Sequence, residues 1–179
     1  MEPSPWVVRF APLVAAGGAV LDVAAGAGRH TRLFLERGHP VVAVDRDVSA
    51  LTAHPRLEIV EADLEDGSPI PAALAAGGFA GVVVTRYLHR PLLGPIVAAV
   101  APGGILIYET FAAGQERLGR PTNPDFLLRP GELFDAVAGD LRVLAYEDLT
   151  VSEPEPAAIQ RICAQRPSSR RAQRQGLCI

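Results

Sequence analysis

Three carboxylates, each closing a short apolar run, are the residues best placed by type and spacing to do chemistry: Asp22 in "LDVAAGAGRH", Asp45 in "VVAVD" and Asp63 in "IVEAD". Behind Asp22 come Gly26 and Gly28, which let the backbone turn sharply and aim amide N–H groups at a ligand lying across the start of the next helix. Asp45 follows Gly26 by nineteen residues, the spacing at which a carboxylate takes the hydroxyls of a ribose. Asp63 falls where a carboxylate or its neighbouring amide meets an adenine amino group. The series reads as a nucleoside site, and a poor dinucleotide site. The third glycine of that fingerprint would stand at position 31, which is Thr31. A carboxylate at position 22 also suits a cationic ligand better than a pyrophosphate. Each acid has an ordinary duty open to it as well: Asp22 as a loop cap, Asp45 as the cap of a helix after "DRD", Asp63 as a turn residue.

A second group lies further along, in "TRYLHR" (85–90) and "YETF" (108–111). Tyr87, His89 and Glu109 are the groups able to orient or deprotonate a substrate there. Glu109 leads, because an unpaired acid at the end of a buried strand is costly; Arg86 is either its partner or a surface charge. His89 reads equally well as a helix-start residue, and Tyr87 as packing over a ligand. Arg29 suits a ligand carboxylate, His30 serves either way, and Trp6 and Arg9 cover the ligand or cap the sheet. Residues 111–129 lack periodicity and read as a lid over a small substrate. Phe111, Phe126 and Leu127 would exclude water. Gln115, Glu116, Arg120 and Asn123 would meet a polar ligand, and Pro121 and Pro124 would restrict the segment.

The elements that must position these groups follow an alternating order. "AVLDVA" (19–24), "VVAV" (41–44), "LEIV" (57–60), "FAGVVVT" (79–85) and "GILIYE" (104–109) are near-continuous apolar runs suited to a parallel sheet covered on both faces. A helix fits "GRHTRLFLERGHP", stopped by Gly38 and Pro40; another starts near Pro91 and ends before Pro102–Gly103; a third opens with "RPGEL" over 130–138. "LRVLAYEDLT" (141–150) and "AAIQRICA" (157–164) are joined by about six residues, too few for a parallel crossover, so they form an antiparallel hairpin. The expected fold is α/β, Rossmann-like and doubly wound: a mostly parallel seven-stranded sheet with an antiparallel final hairpin.

A chain of 179 residues makes one domain with a sizeable core. It has no lysine, 17 arginines and a net charge of −3. The expectation is a domain over 1–164 and a basic, disordered tail over 165–179 carrying Arg166, Arg170, Arg171 and Arg174. The chain before the tail is acidic, which argues against a nucleic-acid partner. Cys163 and Cys178 form no metal-ligand spacing, so no metal is expected. The uncharged run 91–108 is broken by prolines and "PGG", against a membrane span. "MEPSPW" lacks the basic start of a signal peptide, which points to the cytoplasm.

"VLDVAAGAGRHT", "AVDRD", "EAD" and the final hairpin resemble the class I S-adenosylmethionine-dependent methyltransferases over residues 5–164. "SPWVVRF", "GRH" and "YETF" resemble a small bacterial branch near the tellurite-resistance-type enzymes. The resemblance implies methyl transfer from S-adenosyl-L-methionine to a small-molecule acceptor. It gives Asp22, Gly26 and Gly28 the methionine end of the cofactor, Asp45 the ribose and Asp63 the adenine, with Ala24, Arg29, Arg46, Leu64 and Thr85 completing the site. Glu109, Tyr87 and His89 become the catalytic candidates. Ala25 departs from the Cys or Gly frequent in relatives. Two other readings stand beside it: a non-catalytic cofactor- or partner-binding domain, and an NAD(P)-dependent oxidoreductase, against which Thr31, Asp22 and Asp63 count. No "NPPY"-like tetrapeptide names the acceptor.

Overall fold

The computed structural model describes residues 2–153 and 155–168. Seven strands form one sheet: β1 (Val20–Val23), β2 (Val41–Asp45), β3 (Leu57–Glu61), β4 (Phe79–Thr85), β5 (Val100–Phe111), β6 (Arg142–Val151) and β7 (Ala157–Gln165). Their order is β3-β2-β1-β4-β5-β7-β6. The first five pair parallel, and β7 lies antiparallel between β5 and β6. The order reverses between β1 and β4, which opens a crevice at the carboxyl ends of the strands.

Alternation along the strands divides the core in two. Leu21, Val23, Val82, Val84, Leu106 and Tyr108 face one side, where α3 (Ala72–Ala76), α4 (Leu93–Ala99) and α5 (Glu132–Val137) pack. Val20, Val83, Ile105 and Ile107 face the other, against α1 (Pro5–Phe10) and α2 (Arg29–Glu36). By the same parity Asp22, Thr85 and Glu109 belong to the α1/α2 face. That places three polar side chains on one side of one sheet end.

Several boundaries differ from those read in the sequence. Helix α1 and the short α3 were not anticipated; α1 is marked only by Ser4–Pro5, a cap followed by a first-turn proline. The 91–108 run divides between a 3-10 turn at Arg90–Leu92, α4 and β5. No helix among the described residues is long and apolar enough to cross a membrane. Pairing steps from Phe79–Val100 to Gly81–Ile105, so the "PGG" segment bulges inside β5. The last strand runs to Gln165, inside the expected tail. Arg166 is docked too, its guanidinium donating to the Val97 and Val100 carbonyls at 2.7 Å each, at the junction of α4 and β5. Residues 169–179, with the three remaining tail arginines and Cys178, lie outside the described residues.

Candidate functional site

The glycine loop is built by backbone geometry. Gly26 (φ +54°) and Gly28 (φ +70°) are left-handed. A Cβ on Gly28 would lie 2.5 Å from Leu51 Cδ2, whereas one on Gly26 would meet nothing within 4 Å, so the loop has open space on its outer side. Ala24 is also left-handed, at φ +54°, a conformation an alanine holds at a cost of about 1–3 kcal/mol. Beneath the loop Asp22 is buried, and its Oδ2 accepts a 2.6 Å hydrogen bond from Thr31 Oγ1 on α2. Burial pushes the Asp22 carboxyl up from 3.8 to about 6, against the lowering influence of Thr31 and Arg29. Asp22 makes no ion pair among the described residues, and a ligand ammonium would supply one.

Asp45 holds the loop rather than a helix. Its Oδ2 accepts from the Gly26 N–H at 2.7 Å and its Oδ1 from the Asp47 N–H at 2.9 Å, and no helix follows it. Asp63 is exposed beyond β3 and accepts from the Glu65 N–H. Leu64 packs against the core cluster below it, and Arg46 is exposed.

On the α1/α2 face a continuous polar chain crosses the sheet. Arg29 Nη2 donates to Thr85 Oγ1 at 3.3 Å. His30, buried next to it, accepts the Ser4 backbone N–H on Nε2 at 3.1 Å and sets Nδ1 3.4 Å from Thr85 Oγ1. Burial and the neighbouring Arg29 and Arg86 push His30 down to about 3, so it is neutral, with its proton on Nδ1. The Ser4 hydroxyl then donates to Glu109 Oε1 at 2.8 Å. Glu109 Oε2 lies 3.4 Å from Arg161 Nη1, and Arg161 Nη2 lies 2.5 Å from Glu147. Glu109, Arg161 and Glu147 are direct partners on three neighbouring strands. Ser4, Arg29, Arg86, Glu109 and Arg161 line a cleft of about 940 Å³. A second hollow of about 560 Å³ lies by α3, α4 and Arg166 and shares no lining residue with the cleft or the glycine loop.

No family model matches the chain. Over 95 residues it is 34% identical to the ribosomal RNA small subunit methyltransferase H of Anaeromyxobacter sp. (strain Fw109-5), a match spanning 49% of this chain and 29% of that protein. The chain therefore matches less than a third of that relative's length. Solved structures are similar over nearly the whole chain. TehB from Haemophilus influenzae has a TM-score of 0.69 at 17% identity, covering 92% of this chain and 62% of that one. The Burkholderia thailandensis 1,6-didemethyltoxoflavin-N1-methyltransferase, solved with its substrate and S-adenosylhomocysteine, has a TM-score of 0.62 at 20% identity, covering 92% and 77%. A TehB-like S-adenosylmethionine-dependent methyltransferase from Corynebacterium glutamicum gives 0.61 at 16%, covering 90% and 86%. The chain has the class I methyltransferase fold.

On this fold Asp22 lies in β1, Asp45 ends β2 and Asp63 lies two residues past β3, on three adjacent parallel strands; none of the three lines the cleft. The catalytic candidates separate. Glu109 lines the cleft, but Tyr87 and His89 are not among its lining residues. Tyr87 packs on the opposite core cluster, and its hydroxyl is buried without a hydrogen-bond partner among the described residues. Burial and the nearby Glu65, Asp63 and Asp45 push its pKa up, which keeps the phenol neutral and unsuited to act as a base. His89 is half-buried and precedes the 3-10 turn, its carbonyl accepting from the Leu92 N–H. Trp6 caps the sheet: it is buried, donates Nε1–H to the Ile162 carbonyl and carries Arg161 4.7 Å over its ring.

The 111–129 segment, read from the sequence as a lid, is tied to the body of the fold at several points. Leu127 and Leu128 are buried, while Phe126 is exposed. Arg90 pairs with both Glu132 oxygens at 2.7 and 2.9 Å and donates to the Asp125 and Leu127 carbonyls. Buried Gln115 bridges the Ala158 N–H and the Arg120 carbonyl. Of the segment's polar residues, Gln115 and Arg120 line the cleft. Sequence reasoning missed Ser4, Arg161 and Glu147. The helix-start signal "SP" was available for Ser4, but its bond to Glu109 spans 105 residues.

Proposed function

We propose that this chain is a methyltransferase that moves the methyl group of S-adenosylmethionine to a small-molecule acceptor in the cleft beside Glu109. The observation that carries the reading is the Asp22–Asp45–Asp63 series set around a left-handed glycine loop on this fold. The residues fit the cofactor. Buried Asp22 would meet the methionine ammonium and Arg29 its carboxylate, the open side of the Gly26–Gly28 turn would admit that end of the molecule, Asp45 would take the ribose hydroxyls, and Asp63 the adenine amino group. Ala24, Arg46, Leu64 and Thr85 flank these contacts.

When bound, S-adenosylmethionine supplies an electrophilic methyl carbon: the acceptor's lone pair forms the new bond while the breaking carbon–sulfur pair stays on sulfur, leaving a neutral thioether. The chain's part is to hold the acceptor in line. Glu109 faces the cleft from the end of β5, two strands from Asp22, and orients the acceptor or takes the proton it releases. Ser4 and Arg161 fix that carboxylate from either side. Tyr87 would border the adenine end, and His89, outside the cleft lining, is not assigned a step.

Calorimetry tests the reading. S-adenosylmethionine or S-adenosylhomocysteine should bind and NADH should not; NADH binding without either would overturn it. The match to a ribosomal RNA methyltransferase makes RNA the second acceptor to assay, but the chain before residue 166 carries a net charge of −7, which disfavours a phosphate backbone.

A further inference from the structure

Four arginines and four glutamates line the cleft, and the two sets are only partly matched to each other. Of its arginines, Arg161 is matched by Glu109 and Glu147, and Arg29 is bonded to Thr85. Arg86 and Arg120 line the same cleft and make no ion pair among the described residues. Glu2, Glu153 and Glu155 also border it, exposed, and none of them pairs with either arginine. Arg86 is held at φ +54° at the end of β4, next to Arg29, its own N–H bonded to the Glu109 carbonyl. A non-glycine residue in that conformation costs about 1–3 kcal/mol and persists only where the surroundings impose it.

Next to these guanidinium groups lies an apolar floor. Phe111 and Ile159 are direct partners across β5 and β7, two residues beyond the Glu109–Arg161 pair and so on the same face of the sheet. Both line the cleft, together with Val151. At about 940 Å³ the space matches those that enclose organic ligands, and is far more than a bare oxyanion fills.

We infer that the acceptor is an organic acid, its apolar body against Phe111 and Ile159 and its carboxylate held by Arg86 and Arg120. This rests on the methyltransferase reading for the word acceptor, though the anion site stands on the cleft alone. Two planar guanidinium forks match the two oxygens of a carboxylate, and a charged hydrogen bond in a half-enclosed site outweighs its neutral counterpart. The carboxylate is the anchor; the atom that receives the methyl group lies elsewhere on the molecule.

Calorimetry on the full chain, with and without saturating S-adenosylhomocysteine, provides the test. The probes are benzoate and phenylacetate, their primary amides, and inorganic phosphate. Each acid should bind about tenfold or more tighter than its amide. Arg120→Gln, an exposed position whose side chain makes no structural bond, should remove most of that preference while leaving S-adenosylhomocysteine affinity unchanged; Arg86→Gln should do the same to the acids. Equal binding of acids and amides, absence of acid binding at millimolar concentration, or acid affinity untouched by both substitutions would overturn the proposal. Phosphate binding as tightly as benzoate would also overturn it, making the site a general oxyanion site. Failure of S-adenosylhomocysteine to bind would instead remove the methyltransferase reading, leaving the acid-over-amide comparison on the unliganded chain still decisive for the anion site.

Discussion

Glu109 on β5 and Arg161 on β7 face each other as direct cross-strand partners, 3.4 Å apart, and Arg161 reaches on to Glu147 on β6. One guanidinium on the middle strand thus bridges carboxylates on the strands to either side of it. Arg161→Met should destabilise the fold by about 1–3 kcal/mol, less than a fully buried pair because the three side chains retain some solvent. Adding Glu147→Gln should recover part of that loss. Urea denaturation of the double-mutant cycle measures it, and independent, additive effects would show that the ladder is not coupled.

Asp22 should trade stability for binding. Its folded value of about 6 lies above the 3.8 of an ordinary aspartate. Between those values the folded state keeps a proton that the unfolded chain has released, so stability falls as pH rises through that window. Above pH 6 the whole cost, about 3 kcal/mol, persists. Asp22→Asn should therefore raise the melting temperature at pH 7.5 but not at pH 4, while weakening S-adenosylmethionine binding tenfold or more. A variant no more stable than the parent at pH 7.5 would contradict this account.

His30 works in the opposite sense. Its value is lowered from 6.5 to about 3, so the unfolded chain binds the proton first. Its contribution is complete above pH 6.5 and is lost as pH falls toward 3. His30→Gln should flatten the acid limb of the stability curve, and hydrogen exchange at Trp6 and Val8 should quicken as the Ser4 anchor loosens.

Asp45→Ala should cost about 1.5–3 kcal/mol of cofactor affinity, the scale for hydrogen bonds to a charge. Because Asp45 also accepts from the Gly26 and Asp47 N–H groups, the melting temperature of the unliganded protein should fall too, whereas a residue serving the ligand alone would leave it unchanged. Calorimetry and thermal melts together separate the two roles.

Residues 111–129 should show the same hydrogen exchange with and without S-adenosylhomocysteine and acceptor, because Arg90 and Gln115 already fasten them. Arg90→Gln should speed exchange over 125–128, freeing the carbonyls that its guanidinium now holds. Ligand-dependent protection of this stretch in the parent protein would restore a moving lid.

Local signals carried the strand runs, the glycine turn and the three acids. Period and turn chemistry act over a few residues, and each acid lies within two residues of the end of its own strand. Strand parity even places Asp22, Thr85 and Glu109 on one face. Tertiary structure decided which groups share the cleft. Tyr87 and Glu109 lie close to each other's strand ends, yet one points to the α3/α4 side and the other to the α1/α2 side. Ser4, Arg161 and Glu147 reach Glu109 only through long-range pairing, for which a single sequence holds no local mark. The tethering of 111–129 was hidden for the same reason: an aperiodic stretch gives no sign of the distant Arg90 and the β7 backbone that bind it.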